Sequence, residues 1–200
     1  MDFAAFTGIG WAAIKTYEAL GRIRAPRIEA SEVTEIGEFS DWVDPLWKQS
    51  SGTYAMTAVR DAATLRLLYP ATDTHFTRLQ LRRDGSDLGW AVVGERRRDA
   101  KYGSMRVGSI VDCWASPGDA LAVVKAAARA LERQGVDLIV SNQSHIVWRR
   151  AFRAAGFAQA QSNFIFAASR KLAELLQPFE AVKDRLHFTR ADGDGLPRNF

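Results

Sequence analysis

Apolar and polar positions alternate along HFTRLQLRRDGSDLGWAVVGERRR, with Phe76, Leu79 and Leu81 before Asp84-Gly85 and Leu88, Trp90 and Val92 after it. Two alternating runs around Asp-Gly predict a β-hairpin, because that dipeptide tolerates the positive φ angles a tight turn needs. A third strand is predicted at MRVGSIVDCWA, 105–115. The period then changes. ALAVVKAAARALERQ sets Leu121, Val124, Ala128 and Leu131 on one helical face, and Gly135 ends the run. VDLIVS, 136–141, is unbroken in its apolar character and predicts a strand covered on both faces. A helix over 145–155 and a strand SNFIFAAS, 162–169, follow.

Ahead of the hairpin, residues 2–21 predict a helix ended by Gly21, and RIEASEVTEI, 27–36, a strand. Phe39, Val43, Leu46 and Trp47 have helical spacing, with Pro45 expected to kink or split the helix, and DAATLRLLY, 61–69, predicts a short helix stopped by Pro70. KLAELLQPFEAVKD, 171–184, predicts one more helix, and LHFTRADGDG begins as a strand and ends as a loop. The organisation expected is a helix or linker over 1–26, a domain over 27–169, and a helix, strand and tail over 170–200. Helices alternate with strands only in the second half, which indicates a mixed sheet rather than a doubly wound one.

Composition narrows the classes. The 200 residues are 47% hydrophobic and 25% charged, with net charge +4, which fits a globular chain able to bury a core. The sequence pI of about 9.5 would favour phosphates, yet exposed aromatics do not interleave with the charges as single-strand binding requires, so nucleic acid is not an expected partner. Arg96-Arg97-Arg98 reads as the end of a strand. Cys113 is the only cysteine; a disulfide framework and a cysteine zinc site are excluded, and a reducing, cytoplasmic setting is expected. His75, His145 and His187 lack the short spacing of paired metal ligands, and Asp192 and Asp194 lack the glutamate of a calcium loop, so no metal is expected. Lys15 and Glu18 interrupt the first apolar stretch short of the roughly 20 residues a membrane span needs.

The element order, with a late helix that closes on Phe152-Arg-Ala-Ala-Gly156-Phe157, resembles the GNAT superfamily of acyl-CoA-dependent N-acyltransferases over roughly residues 28–169. The family pattern of Asn, an aromatic seven positions on, then three residues and Gly-Phe corresponds here to His145, Phe152, Gly156 and Phe157. The fold implied is α/β (α+β): a mixed, centrally splayed sheet flanked by helices, with an added N-terminal helix and a C-terminal extension. The resemblance implies that the strand 105–115 parts from its neighbour just ahead of Ser116-Pro117-Gly118-Asp119, that its main chain holds a pantetheine arm, and that the following helix start binds pyrophosphate. Acetyl-CoA or another acyl-CoA is the cofactor so implied, with Cys113, Trp114, Ala115, Gly118, Asp119, Arg149 and Phe152 as binding residues. Two departures stand out: the turn lacks the family's leading Arg or Gln and its spaced glycines, and Phe152 replaces the tyrosine that protonates the leaving thiolate.

Acyl transfer to an amine needs a proton acceptor and a donor for the oxyanion. Asp112, at the end of an apolar strand segment, is a candidate base or a hydrogen-bonded structural group. His145, between strand and helix, is a second candidate base or a helix cap. Backbone N–H groups around Cys113 and Trp114 are candidate oxyanion donors. Asp119 reads as a helix cap that would repel phosphate if turned inward, Cys113 as a small buried residue, and Arg149, Arg150 and Arg153 as phosphate ligands or a solvated helix face. The expected function is N-acyl transfer to a small-molecule or peptide amine by direct attack. The alternative is a noncatalytic module that docks a partner, a second copy of itself or a second GNAT domain, since DAATLRLLY and the DGDG tail resemble the second half of duplicated bacterial acyltransferases. Aminoacyl transfer from tRNA on a related fold is a third reading.

Overall fold

The structure is a computed structural model that describes residues 29–98, 105–116, 118–160 and 165–193, with only the backbone of 96–98. The helix expected over 2–21 lies outside the described residues. Five strands form one sheet in the order β1 (Glu32–Ile36), β3 (Phe76–Arg83), β4 (Ser86–Arg98), β5 (Met105–Ala115) and β6 (Leu138–Ser141). The first four are antiparallel and β6 runs parallel to β5, so the sheet is mixed as the sequence indicated. The β3–β4 turn is Asp84-Gly85, both with positive φ, a conformation Gly85 adopts without a Cβ clash.

Helices α1 (Val43–Ser50) and α2 (Ala62–Leu68) cover one face and α3 (Ala120–Arg133) the other, with α4 (Ile146–Ala154) packed against α3. Cross-strand partners share a face. Trp90, Val92, Asp112 and Trp114 therefore look toward α1 and α2, where the Trp114 indole donates to Ser50 Oγ at 2.8 Å. Gly89 lies on the α3 side, where a Cβ would fall 2.3 Å from the Trp114 carbonyl oxygen and 2.9 Å from Val123. The register of β4 against β5 shifts between Val92, paired with Asp112, and Val93, paired with Ile110. Val111 is thus an extra residue, and this bulge puts Ile110 and Asp112 on opposite faces, which strict alternation would not do.

Four expectations need correction. Pro45 does not kink its helix: α1 starts at Val43, so the proline sits in the first turn, where no intrahelical acceptor awaits an N–H. The 136–141 strand is not covered on both faces, since β6 begins at Leu138, which is 48% exposed, and edges the sheet. Residues 165–169 form no strand and Ile165 is 92% exposed; 162–164 lie outside the described residues. The helix expected over 171–184 is two short ones, α5 (Arg170–Leu175) and α6 (Phe179–Val182), divided at Pro178. The chain then returns to the domain through β7 (Leu186–His187), which pairs in parallel with β2 (Met56–Thr57).

Candidate active site

β5 and β6 pair from Val107 with Leu138 to Ile110 with Ser141 and no further. Beyond that point β5 runs on to Ala115 while β6 ends, so among the described residues 111–115 have a strand on one side only. This is the parting of strands expected ahead of Ser116. Along it the backbone alternates. The Trp114 carbonyl lies against Gly89 of β4, so Cys113 and Ala115 direct their N–H groups to the open side. The Cys113 N–H is already taken, donating to Asp112 Oδ1 at 3.0 Å, and Trp114 faces β4. The oxyanion donor expected around Cys113 and Trp114 is therefore left to Ala115.

The open side is filled by the chain itself. After β6, Gln143 bridges Thr189 and sets its amide 3.6 Å from the Cys113 sulfur. Ser144 Oγ donates to the Leu186 carbonyl and accepts from the Phe188 N–H. Residues 186–192 thus cross the end of β5 as a strap, and residues 111–115 are wholly buried beneath it.

Asp112 is the centre of this packing. Its Oδ2 accepts from Arg60 Nε at 2.8 Å and from the Tyr69 hydroxyl at 3.1 Å, while Arg60 Nη2 donates to both oxygens of Asp192 at 2.7 Å. Burial pushes the Asp112 carboxyl upward from its ordinary value and the Arg60 guanidinium opposes it; Tyr69 is raised by the same burial and by the Asp112 charge. Both carboxylate oxygens are engaged and neither reaches solvent, so the group expected as a base is held as an ion-pair partner. The Cys113 thiol, buried beside Asp112, is raised well above its usual value and carries no thiolate reactivity.

His145 is the N-cap of α4, accepting from the Val147 N–H at 3.3 Å, and burial and Arg185 lower its proton affinity. Asp119 occupies the cap position of α3 but makes no capping bond. It accepts from Ser116 Oγ at 2.8 Å and from Arg83 Nη1 at 3.2 Å, so its charge at the helix start is paired. Gly118 beside it has open space around its Cα. Arg149 lies 3.4 Å from Asp184, away from that turn, and Phe152 is buried edge-on against Phe157 at 4.9 Å. The structure thus gathers Asp112, Cys113, Trp114 and Ala115 in one place, sets Gly118 and Asp119 at the adjoining turn, and leaves Arg149 outside.

Sequence reasoning missed Arg60, Tyr69, Arg83 and the strap residues His187, Thr189 and Asp192. A lone arginine before a helix cap carries no periodic signal; the DGDG tail was visible, but not its place against β5. A cavity of about 290 Å³ bordered by Thr74, Glu95, Arg106 and Gln134 lies at the other end of the same strands. No described helix is long and apolar enough to cross a membrane.

Against solved structures, the chain is similar to a ribosomal-protein-alanine N-acetyltransferase from Brucella melitensis biovar Abortus 2308, with 16% identity over 71% of this chain and 100% of that one, at a TM-score of 0.53. The chain has the GNAT fold. A glucosamine-6-phosphate N-acetyltransferase from Arabidopsis thaliana matches at 10% identity over 70% of this chain and 100% of that one, TM-score 0.49. An aminoglycoside N-acetyltransferase in complex with CoA matches at 16% over 70% and 99%, TM-score 0.46. No sequence-family model matches the chain, and no curated sequence does.

Proposed function

We propose that the protein is an N-acyltransferase that moves an acetyl or other acyl group from acyl-CoA to an amine. The observation that carries this reading is the departure of β6 from β5 after Ile110 and Ser141, immediately before the start of α3. That arrangement offers a thioester arm a row of main-chain partners on β5 and offers its phosphates a helix N-terminus. Arg83 offsets the charge of Asp119 at that turn, which removes the repulsion a free carboxylate would exert. The amine nitrogen attacks the thioester carbonyl, the Ala115 N–H stabilises the oxyanion, and the C–S bond breaks to release CoA thiolate. Phe152 lacks a hydroxyl to protonate that sulfur, so this step falls to solvent or to another group, at a cost of about a hundredfold in rate. The acceptor is an amine of a small molecule or peptide, and the lone buried Cys113 fits a cytoplasmic setting.

Asp112 enters this reading as the partner of Arg60 that fixes the charge and shape of the gap. The cofactor arm reaches β5 only by displacing the Gln143 side chain from Cys113, with Leu186 and His187 staying paired to β2. A thermal shift with acetyl-CoA tests the reading, because a ligand that binds only the folded protein at a hundredfold its Kd adds about 2.7 kcal/mol. Stabilisation, with thiol release on adding an amine, is expected; a well-folded sample indifferent to millimolar acetyl-CoA sinks it. The packed state of residues 111–115 favours a second reading, a noncatalytic GNAT-like module that docks a partner domain or a second copy, and that indifference is its expected result.

A further inference from the structure

His187 is wholly buried, and its Nδ1 lies 3.1 Å from Thr57 Oγ1 across the β2–β7 pair. The Thr57 hydroxyl has a single proton, and it is directed to the Ala58 carbonyl at 3.3 Å. With that proton directed to Ala58, Thr57 accepts from His187; this assignment places the imidazole proton on Nδ1 and gives Nε2 a free lone pair. Among the described residues Nε2 has no hydrogen-bond partner. The ring sits among Tyr54 at 4.7 Å, Trp114 at 5.2 Å and Trp148 at 6.0 Å between centroids. Trp114 belongs to the open half of β5, so the strap holds the His187 ring beside the stretch that flanks the proposed acyl site. The neighbouring Arg60 Nη1 and Gln143 Oε1 are also buried without partners. Polar atoms left unsatisfied in an otherwise packed core mark a place built for another group.

Resting on the acyltransferase reading, we propose that His187 Nε2 is the catalytic base: it accepts the proton from the attacking amine, with Thr57 as the positioning residue that fixes its tautomer. As the C–N bond forms and the C–S bond breaks, the sulfur leaves with the electron pair, the nitrogen loses its proton to Nε2, and the imidazolium returns that proton to the thiolate. The products are the N-acyl amine and CoA as its thiol, with His187 neutral again. The same residue thereby supplies the proton that Phe152 cannot.

The titratable and charged groups facing His187 are Arg60 ahead of α2, His145 at the head of α4 and Tyr54 ahead of β2. Burial, then Arg60 and His145, hold the imidazole well below its usual value, so it is neutral at pH 7. The rate should therefore fall on the acid side only well below pH 6.5.

The test uses the full chain with acetyl-CoA and an alanine-initiated peptide as probes. His187→Asn keeps a donor for Thr57 and removes Nε2. The expected result is unchanged stabilisation by acetyl-CoA, a fall in kcat/KM of about a hundredfold, and loss of the acid limb; Thr57→Val shifts that limb. Wild-type activity with an H187N rate within about threefold and the limb intact overturns the proposal. A wild-type protein that acetyl-CoA does not stabilise overturns the acyltransferase reading and this proposal with it; where it is stabilised yet leaves the peptide unacylated, the imidazole 15N shifts decide the proposal alone. Should H187N fail to fold, imidazole 15N shifts of the unaltered protein decide it: protonated Nδ1 with bare Nε2 is required, and a proton on Nε2 overturns it.

Discussion

Arg60 shows how one buried charge organises a site. It joins the loop before α2, the middle of β5 and the strap, and its first contact lies 52 positions along the chain. Arg60→Met should cost about 3–5 kcal/mol in urea unfolding, because it strands the Asp112 carboxylate in the core, whereas adding Asp112→Leu should recover most of the loss. A double variant no more stable than the single one would contradict this account. Neither partner was legible as a pair: hydrophobic periodicity reports which residues are inside, while an ion pair across 52 positions depends on how separate elements meet. The histidines give a pH dependence. His187 and His145 both bind protons less readily folded than unfolded, so below about pH 6.5 the unfolded chain takes up more protons and stability declines with acidification. His187→Asn should flatten that decline in denaturant midpoints measured from pH 7 to 5.

Elements whose signals are local were legible. The β3–β4 hairpin follows from Asp-Gly between alternating runs, β5 was bounded correctly by its own pattern, and α2 starts and stops at Asp61 and Pro70. Asp61 accepts from the Thr64 N–H at 2.8 Å, so Asp61→Ala should cost about 1 kcal/mol, a Tm loss of about 2–4 °C at this size. An unchanged Tm would mean that α2 is held by packing alone. Features that depend on a neighbour were not legible. An apolar run predicts burial, but among the described residues Leu138 has no strand beyond it, and residues 165–169 have a strand composition with no described strand beside them to pair with. The crevice was legible as a family expectation; its occupant was not, because Gln143 and Thr189 meet only once the chain has turned back.

At the scale of the molecule the strap and the sheet differ in what holds them. β4 and β5 share ten paired positions and an apolar core on both faces; the strap is tied through Arg60, Gln143, Ser144 and the two-residue β2–β7 pairing, with Leu186 and His187 inserted. Local opening draws on the least apolar contacts, so amides of 186–192 should exchange with deuterium well before those of 89–93 and 107–113, and acetyl-CoA should alter the strap's exchange most. Uniform exchange across both regions would mean that the strap opens only with global unfolding.

The bulge at Val111 has a consequence for how the gene can change. Removing a codon elsewhere in 105–115 turns over the residues between the cut and the bulge. Losing Val111 reverses nothing, since Ile110 and Asp112 already face opposite ways. A codon-deletion scan should find its survivors at Ile110 and Val111, folded and soluble, with a straighter strand.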